Sequence, residues 1–172
     1  MSSPTDRASA AVAIIKSLVP QESFLLLRRT THPEDPWSGH FAFPGGRKED
    51  QDQDLLSTCI RETREETGIL LEPNQLQQSL PLEPAGQLLE HPLWVAPFLF
   101  TIPQHPPLTL NEKEIASAYW LNAQQFQNVT LHKRIEMLPG RIFPAYPLND
   151  YYLWGFTYRL LQTILLTDNT QK

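Results

Sequence analysis

The sequence predicts a single α/β domain in which helices cover a mixed sheet. Three observations lead there. The chain has 172 residues, enough for one domain with a real core. Short apolar runs suited to strands dominate it. Two segments, about 54–67 and 151–166, carry apolar residues at helical spacing instead.

The elements follow in order. Residues 1–8 read as a loose start. "AAVAIIKSL" and "SFLLLRR" are two strands joined by a turn at "VPQE". "THPEDPWSG" is a Pro-rich loop, and "HFAF" is a short strand ended by Pro44-Gly45-Gly46. The polar "RKEDQDQD" leads to the first helix, with Asp54 as its N-cap and Gly68 just past its end. "AGQLLEHPLWVAPFLFTI" holds two strands, the second buried from Trp94 to Ile102. "PQHPPLTLNEKE" is a loop, "IASAYWL" a strand and "NAQQFQN" a short helix. "PGRIFPAYPLND" is irregular or hairpin-like, and "YYLWGFTYRLLQTILL" is an amphipathic helix.

Composition narrows the function classes. Hydrophobic residues are 41% and charged residues 19%, which favours a folded domain over disorder. The net charge of −5, with no basic run, disfavours nucleic-acid binding through phosphates. One cysteine, Cys59, leaves no intramolecular disulfide and fits a reducing compartment. No apolar stretch suits a membrane span, and the N-terminal segment lacks a basic region before its apolar part. A cytoplasmic setting is expected.

On a wheel at about 100° per residue, Leu55, Leu56, Cys59, Ile60, Thr63 and Thr67 form a buried stripe. Glu62, Glu65 and Glu66 group beside it at i, i+3, i+4 spacing, so three carboxylates can converge. Like charges at these spacings weaken a helix, and its C-terminal end is the wrong place for them. An exposed acidic face balanced by Arg61 and Arg64 would explain them. So would a hard divalent cation, which chooses oxygen ligands. The other histidines and serines form no zinc spacing and no nucleophile elbow.

The stretch from Phe41 to Ile69 resembles the Nudix box. Arg61-Glu62-Thr63-Arg64-Glu65-Glu66-Thr67-Gly68-Ile69 fits its second half, with Thr63 where an aliphatic residue is usual. Gly46 fits the opening glycine. Arg61 follows Gly46 by fifteen residues, one more than in the common box, and Asp52 stands near the place of the expected Glu. These departures are similar to the coenzyme A pyrophosphatase branch, which has Phe-Pro-Gly-Gly before the loop and Thr-Ala-Leu-Arg-Glu on the helix. Phe43-Pro44-Gly45-Gly46 is complete, and "TCIRE" from Thr58 to Glu62 is close. Upstream, that branch usually carries Leu-Arg-x-His-x-Gly. This chain has Glu34, Asp35 and Trp37 at the Leu, Arg and His places and keeps only Gly39.

The resemblance implies one Nudix hydrolase domain over residues 1–172, an α/β/α sandwich with a mixed central sheet. It implies Mg²⁺- or Mn²⁺-dependent cleavage of a pyrophosphate bond in a nucleoside diphosphate derivative, with a coenzyme A-type substrate first. Another nucleotide, such as ADP-ribose, NADH or a nucleoside triphosphate, is the alternative, as is a Nudix-fold sensor that does not hydrolyse. Glu62, Glu65 and Glu66 are the implied metal ligands, joined by the Gly46 carbonyl. Arg61 is implied to orient a carboxylate. One of the helix glutamates could serve as general base; so could Glu112 or Glu114, which stand where family members often place an acidic residue, and Glu114 is preferred. Arg28 or Arg29, with Arg47, would meet phosphate. A small-molecule nucleotide is the expected partner, with no nucleic acid and no membrane; a homodimer is compatible with the reading.

Overall fold

The computed structural model describes residues 8–35, 37–86 and 90–168, with side chains to residue 165. The expected loose start lies almost wholly outside these residues. So does part of the strand expected before residue 93. The described elements run β1 (Ala10–Val19), β2 (Ser23–Arg29), β3 (Phe41–Ala42), β4 (Gly45–Arg47), α1 (Leu55–Thr67), β5 (Leu76–Ser79), β6 (Glu83–Ala85), β7 (Leu93–Gln104), β8 (Ile115–Asn122), α2 (Ala123–Gln127), β9 (Lys133–Leu138), β10 (Arg141–Leu148), β11 (Tyr151–Trp154) and α3 (Gly155–Asp168).

The main sheet is mixed, as expected. Its path is β3-β2-β1-β7-β5, with β4 beside β1, β6 beside β7 and β8 beside β2. β1 and β7 pair in parallel from Ala10–Val95 to Val19–Gln104, and the other described pairs of this sheet are antiparallel. Both faces are covered, so β1 and β2 read as nearly continuous apolar runs. Alternation then sorts their side chains. Ala11, Ala13, Ile15, Leu25 and Leu27 join Cys59 in a core on the α1 side. Ile14, Phe24 and Leu26 join Tyr158, Leu161 and Leu165 in a core on the α3 side. Residues Arg28 and Arg29 continue this alternation and leave the sheet on opposite faces.

The α1 boundaries are set by local chemistry. Asp54 Oδ1 accepts from the Ser57 N–H at 2.7 Å, and Ser57 Oγ accepts from the Asp54 N–H at 3.0 Å, closing a capping box. Gly68 takes a left-handed φ of 75° and donates to the Arg64 carbonyl. Cys59, Thr63 and Thr67 are fully buried, while Leu55, Leu56 and Ile60 are only half-buried. Burial pushes the Cys59 thiol up to about 12, so it is inert packing.

One correction concerns the second half. Tyr151–Trp154 is a strand, not the first turn of a helix, because Gly155 stands at φ 69° and breaks the run. The aromatic residues Tyr151, Tyr152 and Trp154 suit a strand as well as a helix, and β10 supplies the partner. Of the two readings of the segment before it, irregular or hairpin-like, the hairpin holds: it is β10, the centre of a three-stranded antiparallel sheet β11-β10-β9. β4 is the other surprise: Gly45 and Gly46 do not merely end a strand but pair with Val12 and Ala11. Among the described residues, no helix is long and apolar enough to cross a membrane.

Candidate active site

The site grows from one face of α1 and the two loops that reach it. Arg61 is its hub. Its Nε donates to Asp52 Oδ1 at 2.8 Å and its Nη2 to Asp52 Oδ2 at 2.9 Å. Its Nη1 donates to Glu62 Oε1 at 3.0 Å and to Glu65 Oε2 at 3.2 Å. Its Nη2 also reaches the Arg47 carbonyl at 3.2 Å. One guanidinium therefore ties the long acidic loop, β4 and two candidate ligands together. Asp52 is buried and further accepts from Thr58 Oγ1 and from the Glu49 N–H, both at 2.9 Å. The Arg61 hydrogen bonds hold the Asp52 carboxyl well below the usual carboxylate range, and Asp52 in turn keeps Arg61 firmly protonated.

Glu66 is buried at 4% exposure, although the helical wheel placed it on the flanking acidic side. What draws it inward is β4: Glu66 Oε1 accepts from the Gly45 N–H at 3.0 Å. Burial pushes its carboxyl up to about 8; the Gly45 bond opposes that, and the charges of Glu62 and Glu114 add to it. Burial likewise raises Glu62, against Arg61 and with help from Glu65 and Glu114. Glu65 is about half exposed. Gly46 lies against Glu62, and a Cβ on Gly46 would stand 2.5 Å from Glu62 Cδ. Only glycine lets the backbone come this near the carboxylate.

Glu114 enters through the end of α1. The Thr67 carbonyl accepts from the Thr109 N–H at 2.8 Å, and the Glu66 carbonyl accepts from the Asn111 N–H at 3.0 Å. These bonds pin the loop before β8 to the helix, and Glu114 follows with its side chain exposed. Its charge acts on both Glu62 and Glu66, which ties it to the site. No such link to these carboxylates is found for Glu112.

The three expected phosphate cations separate. Arg29 lies on the α1 face of the sheet, where its charge lowers Glu66. Its Nη2 and Nε donate to Asp35 Oδ2 at 2.7 and 3.1 Å. Arg28, on the other face, pairs with Asp150 at 3.3 Å and lies over the rings of Tyr151 and Phe41, at 4.4 and 4.9 Å. Arg47 is exposed, and its carbonyl rather than its guanidinium meets Arg61. Arg64 is exposed too.

Sequence reasoning noticed Asp52 and Asp35 but missed their partners. Asp52 reaches Thr58 and Arg61 across six and nine residues, and Asp35 reaches back six residues to Arg29. Neither spacing is a local helix or turn rule. The longer Gly46–Arg61 loop with an acid in it was the one available signal.

The donor set fits a hard divalent cation. It offers carboxylate oxygens and a backbone carbonyl, and the Gly46 cradle leaves room that any side chain would fill. The ligands are not gathered as one set, however. Among the described residues, no three His, Cys, Asp or Glu side chains are arranged to hold a metal ion. Glu62 and Glu65 share Arg61 instead, and Glu66 is turned to Gly45.

Comparisons with known proteins bear on this geometry. A NUDIX domain model matches residues 7–145. An uncharacterized protein of Schizosaccharomyces pombe is 36% identical over 102 residues, which cover 56% of this chain and 30% of that protein. The chain thus spans under a third of that relative. The Nudix hydrolase NudL of Yersinia pestis (strain Pestoides F), itself uncharacterized, is 28% identical over 160 residues, covering 89% of this chain and 76% of NudL. Among solved structures, the NUDIX domain of Shewanella oneidensis NrtR complexed with ADP ribose is similar at TM-score 0.61 and 15% identity, covering 95% of this chain and 88% of that one. At that identity the likeness shows the fold.

Proposed function

The chain belongs to the NUDIX family, and on that premise we propose that it hydrolyses the pyrophosphate bond of a nucleoside diphosphate derivative, with a coenzyme A-type substrate. The observation that carries the reading is Glu66, turned in to the Gly45 N–H while Glu62 lies against Gly46, with the charge of Glu114 acting on both. Glu62 and Glu66 are both pushed up, by burial first and then by neighbouring carboxylate charge, as in a site in want of positive charge.

Glu62, Glu65 and Glu66 with the Gly46 carbonyl would hold Mg²⁺ or Mn²⁺, which when bound neutralises the diphosphate and acidifies an attacking water. Arg61 orients Glu62 and Glu65 by its shared Nη1. Glu114 is exposed at the rim and takes the proton as water attacks phosphorus in line. The new P–O bond forms as the anhydride P–O bond breaks, and the phosphate on its far side leaves. Arg29, aimed by Asp35 on the carboxylate face, meets the phosphate charge. Arg28 belongs to the opposite face and serves packing there. A single thiol kept inert by burial fits a cytoplasmic setting.

A second substrate reading has its own support. Asp35, bonded to Arg29, stands where the coenzyme A branch usually has Arg, and the similar NrtR domain was crystallised with ADP ribose. The deciding experiment is a substrate panel of coenzyme A, ADP-ribose, NADH and nucleoside triphosphates with Mg²⁺ and with Mn²⁺. Release of a nucleoside monophosphate-type product from one of them is expected. No turnover of any with either metal, together with tight nucleotide binding, would turn the reading to a sensor.

A further inference from the structure

We propose that the open edge of β9 is a self-complementary dimer interface, through which a second copy of this chain extends the small sheet. Among the described residues, β9 is the end strand of the order β11-β10-β9, with a partner on one side only. An unpaired edge is a template for another strand, and charged side chains, proline or a bulge limit which strand can pair with it. β9 bulges against β10 just past Glu136, so its regular stretch runs from Lys133 to Glu136, and that stretch carries charges of both signs, placed symmetrically: Arg134 and Glu136 flank Ile135.

The direction of the free backbone groups follows from β10. Lys133, Arg134 and Ile135 lie opposite Ala145, Pro144 and Phe143. Antiparallel pairs alternate between hydrogen-bonded and non-hydrogen-bonded. Proline has no N–H, so Arg134–Pro144 is not a hydrogen-bonded pair. Lys133 and Ile135 therefore turn their backbone groups toward β10. Arg134 and Glu136 turn theirs to the open edge.

A second copy related by a two-fold axis at Ile135 meets this edge in antiparallel register. Arg134 of each copy then falls opposite Glu136 of the other. These are the two residues with free backbone groups, so the ladder and the charges demand the same register. Opposite residues of an antiparallel pair present their side chains on one face, which places each guanidinium against a carboxylate. The contact is isologous and closes on itself as a dimer. Ile142, 57% exposed and in register with Glu136, flanks the seam and loses water contact when it forms.

The test is a charge swap read by sedimentation velocity across a dilution series, with circular dichroism confirming the fold of each variant. Wild type is expected to dimerise. Arg134→Glu and Glu136→Arg should each be monomeric, because each puts like charges opposite at both ends of the seam. The double variant should dimerise again. An equimolar mixture of the two single variants should form a heterodimer, since every opposed pair in it is of opposite sign. The mixture also guards against a folding artefact, because misfolded chains would not rescue each other. A monomeric wild type, single variants that dimerise like wild type, or a mixture and double variant that stay monomeric would each overturn the interface.

Discussion

Arg61 closes a two-point ion pair on Asp52, Nε to Oδ1 at 2.8 Å and Nη2 to Oδ2 at 2.9 Å, and so fastens the long acidic loop to the helix that carries the candidate ligands. The pair is buried on the Asp52 side and only slightly exposed on the Arg61 side. Removing the Asp52 charge takes away the two-point partner of Arg61, which keeps its bonds to Glu62 and Glu65. Asp52→Asn should therefore cost about 2 kcal/mol, read from the denaturant midpoint. The pH dependence has a definite sign. The Asp52 carboxyl is held below its unfolded value of about 4, so between those values the unfolded chain binds the extra proton. Its contribution is present above that unfolded value and is lost as pH falls toward the folded one. The stability gap between wild type and Asp52→Asn should narrow below about pH 4. A constant gap would show that the pair contributes through shape and not charge.

Gly46→Ala should leave the fold intact and disable the site. The added Cβ would stand 2.5 Å from Glu62 Cδ, and the side chain must swing away. A displacement near 1 Å costs about a hundredfold in rate. Initial rates and a thermal melt on the same sample separate the two effects. Full activity would mean that Glu62 is not positioned by β4.

Glu66→Gln keeps an acceptor for the Gly45 N–H and removes the carboxylate. Activity should fall by about two orders of magnitude or more, in keeping with loss of a catalytic group. In chelator, the variant should be as stable as wild type or more stable, by about 1 kcal/mol, because folding no longer has to bury or protonate a carboxylate there. Mg²⁺ or Mn²⁺ should raise the melting temperature of wild type and not of the variant. Equal metal-induced shifts in both proteins would remove Glu66 from the ligand set.

The two neighbouring arginines should behave differently. Arg29→Ala should raise KM for the diphosphate substrate, and Asp35→Ala should do so in part by releasing Arg29. Arg28→Ala should mainly lower stability, since it removes the cation over Tyr151 and Phe41. Steady-state kinetics beside melts decide this. The reverse pattern would place the substrate on the α3 face.

Glu114→Gln tests the general base. The side chain is exposed, so stability should hold. A fall in kcat by about 10²–10⁴ with little change in KM is expected of a lost base. A variant with wild-type kcat would leave proton transfer to one of the α1 carboxylates.

Some of this was written locally in the chain. The α1 span was legible because its cap residues Asp54 and Gly68 act within one turn of it. The strands β1, β2 and β7 were legible because burial on both faces makes them continuous apolar runs. The Arg61–Gly68 pattern placed the acidic residues on one helix by spacing alone. The strand at Tyr151–Trp154 was not legible, since its aromatics satisfy two periods and the deciding partner, β10, is a separate segment.

The sequence by itself determined which residues could do chemistry: the three glutamates of α1, the glycines before them and an acid near β8. Tertiary structure decided what each one faces. It turned Glu66 inward to Gly45, joined Arg61 to Asp52, and sent Arg28 and Arg29 to opposite faces of one strand. The reason is physical. Spacing along a helix or strand fixes which side chains share a face, but the hydrogen-bond partner of a buried charge is whatever the fold brings within 3 Å of it, from any part of the chain.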